Sequence, residues 1–377
     1  MNNNRIFCGD YVVYIHEFSK WPQFFWDYRR VDPLLTSVRH QIGFLLGKMS
    51  GMGFEVQSDA NLQILTTEIL KSNAIEGEKL NWDEVRSSLA RKLGIDIAGC
   101  AQPSRHIDGV VEMMLDATQN YKTPLTQERL FGWHNALFPI GRSGLRTITV
   151  ASWRTRQSGE MQVVSGPFGR EQVHFVAPNA ERISLEMKRF FEWFNSENII
   201  DPVLKAAIAH FWFVTIHPFE DGNGRIARAI AELCLARADG VSNRFYSMSD
   251  SIERNRKMYY DILEKTQKGE LDITQWLLWF LHCLEDSVAH AATLLEKVLY
   301  KARILNIANH YPINDRQRRV LNLLLSDFHG HLTTSKYSKI AKCSQDTALR
   351  DINALIEYGV LLQSESSGRS RHYILPQ

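Results

Sequence analysis

The sequence predicts a mainly α-helical protein that contains more than one domain. Apolar residues recur at spacings of three and four in stretches such as ERISLEMKRFFEWFN and DITQWLLWFLHCLEDSVAHAATLLEKVLYKARIL, which is the period of a helix with one buried face. The chain has 377 residues, 44% hydrophobic and 23% charged, enough for two or three domains with their own cores. One stretch, GEMQVVSGPFGREQVHFV, breaks the helical pattern and predicts a β-hairpin near residues 161–176.

Charge, cysteine content and hydropathy exclude several classes of protein. The formal net charge of +2 is close to neutral, so the whole chain is not a polybasic nucleic-acid binder and any basic surface must be local. The five cysteines form no Cys-x-x-Cys pair, which predicts reduced thiols rather than a zinc or redox site. The N-terminus lacks an apolar signal region, and no apolar run approaches the roughly 20 residues of a bilayer span. We therefore expect a cytoplasmic protein without a membrane partner.

The most informative segment is HPFEDGNGRIARAI, residues 217–230, which follows a predicted helix over residues 203–216. Pro218 disfavours further helix, so His217 is expected at the helix exit. Gly222-Asn223-Gly224 can adopt positive φ, and a run of such residues turns backbone N–H groups inward as an anion site. The helix that starts directly afterwards adds free N–H groups and the positive end of its dipole. The segment therefore predicts a phosphate-binding site.

The side chains of the same segment suit nucleotide chemistry. Arg225 and Arg228 are three residues apart in the first helical turn and can each bind phosphate oxygens bidentately. Asp221 offers a hard oxygen ligand for the Mg²⁺ that accompanies a nucleotide. His217 can accept a proton from an attacking hydroxyl near neutral pH. Each feature alone is common in structural turns, but together they indicate an active site.

HPFEDGNGRIAR resembles the Fic family signature, His-Pro-Phe-x-(Asp/Glu)-Gly-Asn-Gly-Arg-x-x-Arg, at every fixed position. Fic proteins transfer AMP from ATP to protein hydroxyls, so the resemblance implies a protein adenylyltransferase (a nucleotidyltransferase). Its co-substrate would be ATP with Mg²⁺, and its targets would be protein Ser, Thr or Tyr hydroxyls, including its own. The resemblance implies that His217 is the general base, Phe219 the core plug and Asp221 the metal ligand. The implied ATP-binding residues are Asp221, Gly222, Asn223, Gly224, Arg225, Ile226, Ala227 and Arg228, of which Arg228 reaches the γ-phosphate.

Two further stretches resemble Fic elements that border the nucleotide. The predicted hairpin is similar to the family's flap, which would place Val164, Ser165 and Gly166 beside the nucleotide and pair with a target segment by strand addition. An ordinary surface hairpin is the alternative. The stretch ERNRKMYYDILEKTQ is similar to the helix that lines the adenine pocket. The alternative is core packing, which is common for aromatic residues on a helix. The pocket residues that this second likeness implies are Tyr259, Tyr260 and Gln267, the last at a position where relatives have Asn.

The stretch KSNAIEGEKLNW places Ser72 and Glu76 four residues apart on one face of a helix that Gly77 is expected to end. A glutamate in the last helical turn faces the negative end of the dipole, which is unfavourable without a nearby cation. Most such glutamates are simply solvated. The stretch, however, resembles the inhibitory motif (Ser/Thr)-x-x-x-Glu-(Gly/Asn) of Fic proteins with an N-terminal inhibitory helix. The resemblance implies that Glu76 pairs with Arg228 and occupies the space of the γ-phosphate, and it leaves open whether Glu76 also helps to remove AMP from targets.

The C-terminal segment has the pattern of a helix-turn-helix followed by two β-like runs around Ser-Ser-Gly. Ser344 is expected to cap its second helix and Gly359 to end it. The segment resembles winged-helix modules that bind DNA and follow Fic domains in many bacterial chains. From Tyr311 onward it has nine Lys or Arg and six Asp or Glu, a net charge of only +3. Because this charge is small for a DNA-binding module, docking to a protein is the alternative. The implied DNA contacts are Gln345, Thr347 and Arg350 in the major groove, and Lys342, Arg369 and Arg371 at phosphates.

The predicted organisation has three parts. Residues 1–105 form an N-terminal helical region with the inhibitory helix, residues 106–305 a Fic catalytic core, and residues 312–377 a winged-helix domain. One alternative function is a Fic enzyme that transfers another phosphate-containing group, although the intact Gly-Asn-Gly-Arg favours AMP. Another is a DNA-bound transcriptional regulator whose Fic core senses ATP. Fic proteins often dimerise, so the resemblance implies a homodimer as one state of the chain, and the sequence does not determine the oligomeric state.

Overall fold

The computed structural model describes residues 13–97, 101–166, 169–170, 172–197, 199–325, 328, 331–364 and 372–376. The chain is mainly helical, as predicted, and it divides into two compact units, Met1–Ala291 and Ala292–Gln377. No helix in the described ranges is long and apolar enough to cross a membrane. The helices are α1 Tyr28–Ser50, α2 Phe54–Ile75, α3 Trp82–Leu93, α4 Arg105–Gln119, α5 Gln127–Leu137, α6 Ile183–Asn195, α7 Pro202–Ile216, α8 Asn223–Asp239, α9 Met248–Arg254, α10 Arg256–Gln267, α11 Thr274–Asn309, α12 Asp315–Leu324, α13 Thr334–Ala341 and α14 Gln345–Glu357. The strands are β1 Arg142–Ser143, β2 Arg146–Thr147, β3 Gln162–Ser165, β4 Gln172–Val176, β5 Leu362–Gln363 and β6 Tyr373–Ile374.

Helices α7 and α8 pack closely together at the centre of the first unit. Nearly every residue of α7 is buried, as expected for a helix that is apolar on all sides. Asp201 caps this helix by accepting a hydrogen bond from the backbone N–H of Val203, and Pro202 occupies the first helical position. Helix α8 is buried from its first turn to Ala236 apart from Gly224. The loop between the two helices is therefore held by the most buried pair in the unit.

Polar contacts hold helix α2 in the same unit. Glu68 is buried and accepts hydrogen bonds from the Ser247 hydroxyl at 2.7 Å and the Ser249 backbone N–H at 2.9 Å, beside the start of α9. Both contacts satisfy a carboxylate that would otherwise be costly to bury. Helix α2 ends at Ile75, and Gly77 follows with a φ of 84°. The predicted end of this helix at Gly77 is confirmed, and glycine is the residue that adopts this conformation without a steric penalty.

The predicted hairpin near residues 161–176 is present as the antiparallel pair β3–β4, with an irregularity in register between Val163 and Val164. Residues 167, 168 and 171, around its turn, lie outside the described residues. A second antiparallel pair, β1–β2, was not predicted. Its strands have two residues each, which is too short to give an alternating apolar pattern.

The second unit has its own buried core, which involves α12, α13, α14 and the pair β5–β6. Ser344 caps α14, and Gly359 follows that helix with a φ of 70°, as predicted. Ile304 and Ala308, in the last turns of α11, also belong to this core. The unit therefore begins before residue 312, where the sequence places the start of the C-terminal domain.

The close approach of α4 and α5 gives a test of the fold. A Cβ added to Gly109 of α4 would lie 1.9 Å from the backbone carbonyl oxygen of Ala136 in α5. We expect Gly109→Ala to lower the free energy of unfolding by about 2 kcal/mol or more, because the two backbones must separate. Gly132 of α5 has nothing within 4 Å of an added Cβ, so Gly132→Ala should be neutral or stabilising by up to about 1 kcal/mol. Chemical denaturation measures both, and equal effects would contradict the packing described.

Candidate active site

His217 lies at the exit of α7 in a left-handed backbone conformation. Its φ is 51°, and its N–H donates a hydrogen bond to the Phe213 carbonyl oxygen at 3.0 Å. Residues other than glycine rarely adopt this conformation, which persists only where the surroundings hold it. The predicted position of His217 at the helix exit is confirmed.

Phe219 anchors the loop that follows. Its side chain is fully buried, its ring stacks on His134 with 4.1 Å between centroids, and it lies 4.9 Å from the Trp153 ring. Burial of such a side chain stabilises the loop by roughly 1.5–3 kcal/mol. This environment suits the core plug that the Fic resemblance implies at this position, and the role stays a prediction. His134 itself accepts a hydrogen bond from the Ala151 backbone N–H at 3.1 Å.

Asn223 closes the loop with its side chain. Its amide accepts a hydrogen bond from the Phe219 N–H at 3.0 Å and donates one to the Phe219 carbonyl oxygen at 2.9 Å. Gly222 has a φ of 80°, whereas Asn223 and Gly224 already belong to the first turn of α8. The expected run of three positive φ values is therefore wrong, because the two later residues begin the helix. The N–H groups at the start of α8 are the donors that remain for the predicted anion site.

The hydrogen bond at one ring nitrogen of His217 determines its tautomer. Nδ1 lies 3.1 Å from the Val214 carbonyl oxygen, which can only accept, so Nδ1 carries the proton and Nε2 has a free lone pair. Burial lowers the pKa of His217 to about 4, and the nearby charge of Arg154 also lowers it. The imidazole is therefore neutral at pH 7 and can accept a proton at Nε2.

Arg154 holds the backbone of the loop, a role that the sequence did not indicate. Its Nε donates to the His217 carbonyl oxygen at 2.8 Å, and its backbone N–H donates to the Pro218 carbonyl oxygen at 2.9 Å. Its Nη2 donates to the carbonyl oxygen of Pro178, two residues after β4. The side chain is buried, and burial lowers the pKa of Arg154 to about 10. A single arginine in an irregular segment carries no signal that could have predicted this contact.

Of the two acids in the loop, Asp221 is the better placed for a metal ion. Both carboxylates accept hydrogen bonds: Glu220 from Thr149 and Ser158, and Asp221 from the Ser143 hydroxyl and the Gly222 backbone N–H. Asp221 is 41% exposed and lines the cavity described below, whereas Glu220 is not among the lining residues of that cavity. Among the described residues, no group of three or more His, Cys, Asp or Glu could hold a metal ion. One exposed carboxylate fits Mg²⁺, which usually binds through one or two carboxylates, substrate phosphates and water.

Arg228 is buried and is bound by the end of α2. Its Nε donates to the Ser72 hydroxyl at 2.8 Å, and its Nη2 donates to the Ser72 carbonyl oxygen at 2.8 Å and to Glu76 Oε1 at 2.9 Å. A Cβ added to Gly224 would lie 2.1 Å from that same Glu76 oxygen, so the carboxylate rests on the backbone of the loop. Arg228 Nη1 is buried and lacks a hydrogen-bond partner among the described residues. The ion pair that the Fic resemblance implies is present.

Arg225 is also buried and paired. Its Nη1 lies 2.9 Å from Glu78 Oε2, and its guanidinium lies 5.0 Å from the centroid of the Phe138 ring. A cavity of about 620 Å³ opens beside these groups. Its lining includes Glu76, Gly77, Glu78, His106, Ser143, Asp221 and Arg225. The predicted metal ligand and the predicted phosphate ligand Arg225 therefore face one cavity.

Residues 124–235, which contain this loop, match the family described as Fic/DOC. The chain therefore contains a Fic domain over these residues. Residues 14–95, which contain α2, match a second family, described as a domain of unknown function, DUF4172. The contacts of Glu76 and Glu78 with α8 therefore join segments that match two different families.

Two of the similar curated proteins are both named protein adenylyltransferase Fic. The protein from Culex quinquefasciatus is 30% identical over 224 residues, which cover 58% of this chain and 39% of that protein. The protein from Drosophila grimshawi is 35% identical over 226 residues, which cover 58% of this chain and 41% of that protein. The chain spans about two fifths of the length of these relatives.

Solved Fic structures share the fold. A Fic family protein from Desulfovibrio desulfuricans G20 superposes with a TM-score of 0.52 at 20% identity and covers 91% of this chain and 96% of its own. A Fic domain containing signaling protein from Bacteroides thetaiotaomicron gives a TM-score of 0.50 at 21% identity, with 71% of this chain and 96% of its own covered. At these identities the likeness concerns the fold alone.

The three residues that the Fic resemblance assigns to the adenine pocket lie on α10 but in different surroundings. The Tyr259 hydroxyl is 2.9 Å from His210 Nε2, and Gln267 donates to the Thr215 hydroxyl at 3.2 Å; both side chains are buried. The Tyr260 hydroxyl donates to the carbonyl oxygen of Ile75 at 3.2 Å, next to Glu76. The pocket assignment stays a prediction, and Tyr260 is the residue of the three that contacts the end of α2.

The predicted flap of the Fic domain is tied to α10. Val164 and Ser165 end β3, and Gly166 follows with a φ of 98°. The Ser165 hydroxyl forms a hydrogen bond with His174 of β4, whose Nδ1 lies 2.6 Å from Glu264 of α10. The position of Val164, Ser165 and Gly166 beside a nucleotide stays a prediction.

In the second unit, the predicted DNA contacts lie at the N-terminal part of α14 and just before it. Gln345 and Arg350 are exposed, Thr347 is partly buried, and Lys342 has a φ of 50° between α13 and α14. Arg369 and Arg371 lie outside the described residues. DNA binding therefore stays a prediction.

The tautomer and charge of His217 can be tested directly. We expect His217 to titrate with a pKa of about 4, because burial disfavours the imidazolium. At pH 7 its proton should reside on Nδ1. Long-range ¹⁵N–¹H NMR measures both properties, and the signal is assigned by its loss in His217→Gln. Titration near 6.5, or a proton on Nε2 at pH 7, would contradict the described site.

Proposed function

We propose that this Fic protein is an adenylyltransferase that transfers AMP from ATP to a Ser, Thr or Tyr hydroxyl of a target protein, including its own. The observation that carries the proposal is the buried Arg228, whose Nη1 has no hydrogen-bond partner among the described residues, in the first turns of α8 and near the neutral His217. These groups suit an anionic nucleotide and a hydroxyl nucleophile. The names of the similar curated proteins support the same activity.

The chemistry requires positioning and charge neutralisation more than covalent participation by the protein. Nε2 of His217 takes the proton of the target hydroxyl as its oxygen bonds to the α-phosphorus. The bond between that phosphorus and the bridging oxygen to the β-phosphate breaks, and pyrophosphate leaves. The start of α8 and the two arginines bind the phosphates. Asp221 would hold Mg²⁺, which when bound neutralises part of the phosphate charge.

We further propose that Glu76 inhibits this reaction in the resting protein. Its carboxylate neutralises Arg228 and lies against Gly224, where a γ-phosphate that binds Arg228 would have to pass. ATP would then bind only in a pose unsuited to in-line attack. The hydrogen bond to Ser72 keeps the arginine in place. Relief of the inhibition therefore requires movement of Glu76 rather than of Arg228.

Replacement of Glu76 tests the activity and its inhibition together. We expect Glu76→Gly to raise transfer of label from α-³²P-ATP to protein at least tenfold, about 1.4 kcal/mol, because the triphosphate can then align. Glu76→Gly with Arg228→Ala should return toward the slow rate, since the freed space helps only if an arginine receives the phosphate.

His217→Ala in the Glu76→Gly background is the matched control. It should bind ATP but transfer no label, because the imidazole takes the proton and does not hold the phosphates. Unchanged labelling in Glu76→Gly would remove the inhibitory role of Glu76. Labelling that survives His217→Ala would remove the base assignment.

We also propose that the second unit is a winged-helix module that binds duplex DNA. The exposed Gln345 and Arg350 on the N-terminal part of α14 support this, as does the short strand pair β5–β6 that follows. A recognition helix contacts bases with such N-terminal residues, and a wing adds phosphate contacts. Docking to another protein is the competing role for the same surface.

The DNA proposal predicts salt-dependent binding by the full chain. Affinity for a mixed-sequence duplex should fall as salt rises from 50 to 200 mM, because phosphate contacts release counterions. Arg350→Ala should weaken binding about tenfold, whereas Arg319→Ala, on α12, should have less effect. Fluorescence anisotropy measures both. Absence of duplex binding at the lowest salt would favour protein docking.

A further inference from the structure

We infer that Glu78 is a second inhibitory carboxylate, which occupies the Arg225 guanidinium that nucleotide phosphates would otherwise bind. The inference rests on the proposed function, because that function assigns Arg225 to the phosphates. It adds a residue outside the inhibitory motif and a second point at which the end of α2 controls the nucleotide site.

The turn after α2 presents two acids to two arginines. The Gly77 N–H donates to the Ala74 carbonyl oxygen at 2.9 Å, and the Glu78 N–H donates to the Asn73 carbonyl oxygen at 3.0 Å. The chain is thus wound tightly enough for both acidic side chains to reach α8. Glu76 then lies 2.9 Å from Arg228, and Glu78 lies 2.9 Å from Arg225. Each arginine of the Fic motif is bound by its own carboxylate.

Arg225 has little freedom to find another partner. Its side chain is 7% exposed, and its other ion-pair contact among the described residues is Asp221, at 4.0 Å. Its Nε is buried without a hydrogen-bond partner in that set. A phosphate would have to bind the same guanidinium, ideally through two parallel N–H groups. Because Glu78 already accepts a hydrogen bond from Nη1, a phosphate cannot use both N–H groups, and the negative charge of the carboxylate repels the incoming anion.

Glu78 is itself held in place. Its Oε1 lies 2.7 Å from Nε2 of His106, whose Nδ1 lies 3.1 Å from the Leu137 carbonyl oxygen. The contact with His106 lowers the pKa of the Glu78 carboxyl, and Arg225 lowers it further, although burial acts in the opposite direction. The group is therefore a carboxylate at neutral pH. Its side chain is 35% exposed, so it can move into solvent while the buried arginine stays.

The two carboxylates should act on different steps. Glu76 rests against Gly224 and blocks the alignment of the triphosphate, which affects turnover. Glu78 reduces the positive charge available to the phosphates, which affects binding of the nucleotide whether or not transfer follows. Loss of Glu78 should therefore lower the Kd and the KM for MgATP more than it raises kcat.

Direct binding of MgATP to the full chain tests the inference. We expect Glu78→Gln to lower the Kd by at least about fivefold in isothermal titration calorimetry, because the amide keeps the size of the side chain and removes its charge. The matched control is Glu112→Gln on α4, whose carboxylate forms an ion pair with Lys92 at 2.6 Å and is 59% exposed. This control should leave the Kd unchanged. Thermal unfolding of each variant checks that the fold is retained.

The outcomes separate this inference from the proposed function. An unchanged Kd in folded Glu78→Gln overturns the inference. A higher Kd, meaning weaker binding of MgATP, also overturns the inference and shows that Glu78 positions Arg225 instead. If Glu78→Gln lowers the Kd but Glu76→Gly transfers no label, the competition at Arg225 is supported and the proposed adenylyl transfer is contradicted. If Glu76→Gly transfers label and adding Glu78→Gln to it leaves the KM for MgATP unchanged, adenylyl transfer is supported and the role of Glu78 is contradicted.

Discussion

The buried charge of Arg228 is the constraint on which the proposed nucleotide site depends. A guanidinium that is 2% exposed requires close partners, because burying an unpaired charge is costly. Ser72 and Glu76, at the end of α2, supply them. Helix α2 is also held by its buried apolar face and by its buried carboxylate, Glu68, which accepts hydrogen bonds from Ser247 and Ser249. The charge on α8 and the location of α2 are therefore coupled, and any anion that binds Arg228 competes with a group on which the local packing depends.

The loop between α7 and α8 combines rigidity with open donors. Phe219 is held in the core, and the Asn223 side chain closes the backbone around it. Arg154 fixes the carbonyl oxygens of His217 and Pro218 from the other side. These contacts use side chains and carbonyl groups, and none of them involves the first N–H groups of α8, which have no acceptor within their own helix. The loop is thus stabilised while the donors of the predicted anion site stay outside these contacts.

Burial also sets the chemistry of the histidine. His217 has a left-handed conformation at the end of α7, and its burial there lowers the pKa of its ring to about 4. The Val214 carbonyl oxygen then selects the tautomer. A neutral imidazole with a free Nε2 therefore follows from where α7 ends. His134, stacked on Phe219, is likewise neutral, because burial lowers its pKa to about 4.

The sequence by itself determined the helical class, the β3–β4 hairpin, the ends of α7 and α2, and the residues of the central motif, because these depend on local period, proline, glycine and spacing. It also paired Glu76 with Arg228, but only through a family resemblance. Tertiary structure alone decided that Arg154 donates to the His217 carbonyl oxygen, that Ser143 contacts Asp221 and that Glu78 pairs with Arg225. Each of these contacts joins residues more than 60 positions apart through single side chains. Nothing in the local pattern marks such residues, since their partners are chosen by how the helices pack.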